Sequence, residues 1–160
     1  YYGTPAGEHG DPALRKGEHT IYRATLSGDR LQAPVAVLSG AHLADPAPIR
    51  FRGRDMVFLT TLPGRAIGRA TGTPLRIDKT WEGVSVPHAM VVGEALWLWA
   101  HTVRDGKHIA VRAVSTDGEQ FTPFEPLLPT QDIDCANPVG MVWQDTPVVF
   151  CVSEPLDGPR

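Results

Sequence analysis

The chain has 160 residues, 42% of them hydrophobic, enough to bury one substantial core with no need of disulfides. A formal net charge of −3 gives no electrostatic footprint for nucleic acid or an anionic membrane, which excludes both as partners. No apolar run approaches the length that spans a bilayer, and no signal peptide opens the chain. There is no initiator Met, so the chain reads as processed or as a fragment; a complete chain of this kind is expected in the cytoplasm.

Taken in order, the chain is a run of short strands broken by 16 glycines and 15 prolines. Tyr1-Tyr2-Gly3-Thr4 reads as the tail of a strand. The polar Gly/Pro-bearing stretch 5–18 reads as a long loop. Ile21-Tyr22-Arg23-Ala24-Thr25 is the next strand, and residues 34–38 a weaker one. Asp45-Pro46 then leads into a short apolar run, a Gly-containing turn and a second apolar run ending in Thr60-Thr61. Val86-Pro87 opens the same sequence again, through a Gly93-Glu94 turn to Ala100-His101-Thr102. Asn137-Pro138 opens it a third time, through Gln144-Asp145 to Val152-Ser153. An X-Pro step biases its neighbours to extended backbone, and two short apolar runs about a tight polar turn make a hairpin.

Between the hairpins an Arg-Ala strand recurs, at Arg23, Arg69 and Arg112, each followed by a weaker fourth segment near 34–38, 76–78 and 124–128. Four strands per roughly 45 residues is the period of a β-propeller blade. The fold class is therefore read as all-β, with four-stranded antiparallel blades in units of about 1–40, 41–84, 85–130 and 131–160. About three blades are present, opened mid-blade. Three blades cannot close a ring, so the expected partner is either the rest of a longer propeller chain or a second copy in a homodimer.

An Asp-Pro before an apolar strand, a Gly turn, a second strand and an Arg-Ala-Thr strand together resemble a known group. They are similar to the five-bladed propellers of glycoside hydrolase families 43, 32, 62, 68 and 130. The turn Ser115-Thr116-Asp117-Gly118-Glu119-Gln120-Phe121-Thr122 strengthens the resemblance, and Ser27-Gly28-Asp29 is a looser version. The resemblance implies a central funnel with carboxylates where the innermost strands begin, and a carbohydrate or other small molecule bound there without a cofactor. Glycoside hydrolysis uses two carboxyl groups across the scissile bond. Asp45 matches as base or orienting carboxylate; the corresponding positions on the next two blades are Val86 and Asn137, which transfer no proton. Glu82 and Asp134 are the nearby carboxylates that could complete a catalytic pair. Asp132 and Asp134 could instead cap a turn, or bind a ligand or cation through oxygens, and Asn137 could bond a ligand hydroxyl.

The remaining candidates divide between packing and binding. Trp81, in a Gly-flanked connection, could stack an exposed indole on a sugar ring, whereas Trp97 and Trp99 alternate with leucines and read as core. His88 is a ligand-binding candidate, although a satisfied, half-buried imidazole is the plainer expectation for it and for His101. The three recurring arginines read as a repeated ion pair between blades. Cys135 and Cys151, without metal-ligand spacing, read as buried free thiols, and no His or carboxylate clustering suggests a metal. The alternatives to a glycosidase are a propeller that binds or converts another small molecule, and a structural or protein-binding propeller.

Overall fold

The computed structural model describes residues 2–4, 18–61, 65–127 and 134–153. Every regular element among them is a β-strand, and every sheet pairing is antiparallel. Strands β1 (Tyr2–Thr4), β2 (Glu18–Arg23) and β5 (Val35–Ala41) form one sheet, and β3 (Leu26–Ser27) with β4 (Arg30–Leu31) a minimal hairpin. Next come β6 (Leu43–Phe51), β7 (Arg54–Thr61), β8 (Ala66–Thr71) and β9 (Arg76–Glu82), a four-stranded meander in chain order. A second such meander holds β10 (Ser85–Val92), β11 (Ala95–Arg104), β12 (Lys107–Ser115) and β13 (Glu125–Pro126). Finally β14 (Ala136–Trp143) and β15 (Thr146–Val152) form a hairpin. The hairpin turns follow from local chemistry: Arg52-Gly53, Asp105-Gly106 and Gln144-Asp145 each have positive φ at both turn residues, the signature of the two-residue turn whose twist suits paired strands.

The sheets stack face on face, and β7 shows why its centre, Met56 to Leu59, is apolar without a break. Phe58 and Met56 enter a core with Ile67 and with Leu96, Leu98 and Val111 of the following meander. Val57 and Leu59 enter another with Ile21, Leu43 and Ala70. Alternate side chains of a strand point to opposite faces, so a strand covered on both sides is apolar at every position. β11 follows the same rule, with Leu96, Leu98, Trp99 and Ala100 all buried.

A polar clasp joins the two meanders. The Arg69 guanidinium, buried on β8, donates to both Asp78 carboxylate oxygens at 2.9 and 2.8 Å. It also reaches the Gly118 carbonyl at 2.5 Å and Glu119 at 2.9 Å in the next sheet's turn. That turn is held by Asp117, which accepts the Glu119 and Gln120 amides and the Ser115 hydroxyl. These bonds, the Gln120 and Glu119 amides first, lower the Asp117 carboxyl to about 2. The Ser115–Thr122 turn thus has a visible structural task. Among the described residues an inter-sheet ion pair is seen for Arg69, whereas Arg112 lies 4.3 Å from the centre of the Trp97 ring on its own sheet.

Two sequence readings are corrected here. Cys135 and Cys151 are joined in a disulfide, not free. Their separation of 16 residues carried no geometric information until the β14–β15 register set Cys151 opposite the Asn137-Pro138 step, with the Cα atoms 5.2 Å apart. A loop of that size contributes about 3 kcal/mol. The second correction concerns the X-Pro steps. Asp45, Val86 and Asn137 do not extend the strand but turn left-handed, with φ of 51°, 54° and 50°. In each case the X-Pro pair opposes a single residue of the neighbouring strand, so each step is a β-bulge.

Candidate functional site

The three bulges occupy the same place on β6, β10 and β14, the first strand of each hairpin, and β10 packs between the other two. A bulge bends its strand and re-aims a side chain, and here it does so at three matching positions. Asp45 and Asn137 tolerate the left-handed region, because a short polar side chain can bond locally. Val86, β-branched, is a genuine outlier there. Asp45 and Asn137 are exposed, Val86 half-buried.

Each later bulge is tied to the sheet before it. The Val86 amide donates to Thr60 Oγ1 of β7 at 2.8 Å, and the Asn137 amide to His101 Nδ1 of β11 at 3.1 Å. Thr60 and His101 stand at the same offset from Asp45 and Val86, so one position in the repeat supplies the acceptor for the next bulge. Because Nδ1 of His101 accepts, its Nε2 carries the hydrogen of the neutral ring and donates to Ser85 Oγ, 3.0 Å away. That polarity is opposite to the one a base needs to activate a serine, so Ser85 and His101 are not a nucleophile pair. Burial first, then the charges of His108 and Arg65, depress His101 to about 4 against a weaker opposing pull from Asp134.

The predicted site residues separate. Asp134 is buried, and its Oδ1 accepts the His108 amide at 2.6 Å and sits 3.1 Å from His108 Nδ1, so it orients that imidazole. His88 lies stacked on Trp99, with ring centres 5.8 Å apart, and its pKa is lowered by burial against the opposing effect of a bond to the Gly140 backbone. Glu82 ends β9. Paired register runs Leu43, Thr61, Ala66, Glu82 across the first meander, which puts Glu82 on the strand farthest from β6, roughly 14 Å away at ordinary strand spacing. Trp81 is not in a connection but within β9, half-buried between Phe58 and Phe121 at 6.1 and 5.4 Å. Packing between sheets, rather than an open indole, is its observed setting. Asp132 lies outside the described residues.

Sequence reasoning missed Thr60, Ser85, His108 and Gly140. For Thr60 and His101 the signal was present as a constant offset from the X-Pro step; for Ser85 and His108 only cross-strand proximity reveals them. Among the described residues no group of three or more His, Cys, Asp or Glu could hold a metal ion. Hollows among the described residues include one of about 390 Å³ beside Arg54, Thr71 and Glu119 and a shallower trough between β5 and residues 74–77. Compared with known proteins, the chain matches no family model, no curated protein and no solved structure.

Proposed function

We propose that the chain is a portion of a carbohydrate-active β-propeller, resembling the furanosidase-type glycoside hydrolases, whose funnel begins where the three bulged strands start. The observation that carries this is the matched left-handed bulge at Asp45, Val86 and Asn137 on β6, β10 and β14, each the first strand of its sheet. Chain-order meanders and sheet-on-sheet packing support the same architecture. In this reading Asp45 meets a sugar hydroxyl or the attacking water, and Asn137 donates and accepts at a second hydroxyl. A polyhydroxylated ligand suits such exposed, short polar groups on rigid strands.

Hydrolysis would need a second carboxyl group across the bond. Asp134 is engaged with His108, and Glu82 stands three strands out. Those placements favour ligand holding over bond cleavage, and a propeller that binds or converts another small molecule is the second reading. A panel of oligosaccharides scored by thermal shift tests the site, with aryl glycosides scored for turnover. The expected result is a sugar-dependent rise in Tm that Asp45→Asn reduces. A rise equal in both proteins removes Asp45 from the site, and no rise with any sugar favours a structural propeller.

A further inference from the structure

Phe58, Trp99 and Phe150 hold one position in the repeat, each the cross-strand partner of the residue after the bulge: Ala47, His88 and Val139. Two of them are knobs already seated. Phe58 is 0% exposed in the core that includes Ala89 of the next sheet. Trp99 is 1% exposed and fills the space over Gly140, where an added Cβ would fall 1.0 Å from its Cζ3. Phe150 is 58% exposed, and Val139, Trp143 and Val152 around it are exposed as well. A contiguous apolar face of this kind marks an interaction surface.

The edge of β15 points to what covers it. β7 and β11 each pair, on the side away from the bulged strand, with an Arg-Ala strand, β8 or β12. Among the described residues β15 has no strand on that side. The remaining Arg-Ala strand among the described residues is β2, and there its matching side is paired only with the three residues of β1. Seven residues of β15 would replace three.

We propose that β15 of one copy pairs antiparallel with β2 of a second copy, and reciprocally, in a twofold dimer that covers Phe150. The occupant is a second copy because β2, with the short β1 displaced, presents the same side and the same Arg-Ala sequence that β8 and β12 present to their partners. In that arrangement β15 would stand beside β2 as β7 stands beside β8 and β11 beside β12. This inference stands apart from the sugar reading, since neither Asp45 nor a ligand enters it.

Sedimentation equilibrium of the 160-residue chain tests it, together with hydrogen exchange at β15 read as a function of concentration. The expected results are a mass twice 17.4 kDa and β15 amides that exchange about tenfold faster on dilution into the monomer range. Phe150→Glu is expected to give a monomer with an unchanged far-ultraviolet spectrum. A wild-type chain that stays monomeric, a dimer that Phe150→Glu leaves intact, or β15 amides that exchange equally fast at all concentrations would each overturn the proposal. Because the exchange measurement uses the wild-type protein, it decides the matter even where the substitution unfolds the hairpin.

Discussion

Val86 holds a backbone conformation that its side chain disfavours, and the cause is positional. Its neighbours in the repeat are Asp45 and Asn137, both suited to φ near 50°, whereas a β-branched residue there costs roughly 1–2 kcal/mol. Val86→Asn is therefore expected to stabilise the fold by about 1 kcal/mol in chemical denaturation, with the Thr60 bond to the amide retained. A loss of stability would mean that the valine methyl groups contribute more than the strain. His101 gives a pH dependence. Its folded pKa of about 4 lies below the ordinary 6.5, so the unfolded chain takes the proton more readily. Stability from this group is complete above pH 6.5 and is lost as pH falls toward 4, by about 3 kcal/mol. His88, also lowered by burial, acts in the same direction. Denaturant midpoints between pH 7 and 4 should fall for the native protein and fall less for His101→Gln; equal slopes would remove His101 as the cause.

At the scale of elements, the contact between the second meander and the last hairpin depends on one large ring over one missing side chain. Gly140→Ala places a methyl group inside the Trp99 ring, and overpacking of that kind costs about 3 kcal/mol. Trp99→Leu alone empties a buried site, yet it also makes room. The double variant should lose less stability than the two single losses combined, and a coupling near zero in that cycle would contradict the interlock. The X-Pro steps teach a related lesson. That they open strands was legible in Asp45-Pro46, Val86-Pro87 and Asn137-Pro138 themselves. That they open them as bulges was not, because proline bias describes a chain segment alone, and a bulge exists only relative to the partner strand. Trp81 was misplaced for the same reason: Gly83 suggested a connection, but pairing with Ile67 carries β9 through Trp81 to Glu82.

For the whole molecule, β7 sets the expected cooperativity. Its alternate side chains belong to two different cores, so neither sheet interface can open without stripping one face of this strand. Calorimetry of the disulfide-bonded protein should show a single transition with equal calorimetric and van't Hoff enthalpies. Two resolved transitions would mean that the sheets melt as separate units.

The sequence by itself determined the three X-Pro hairpins and their antiparallel pairing, the recurrence of the Arg-Ala strand and the unbroken apolar runs at the centres of β7 and β11, because these rest on local periodicity and turn chemistry. Tertiary structure alone decided the Cys135–Cys151 bond, the neutral bridging role of His101, the seat of Trp99 over Gly140 and the separation of Glu82 from Asp45. Each of these depends on which residues stand opposite one another across strands and between sheets. Register and packing establish that only after the chain has folded.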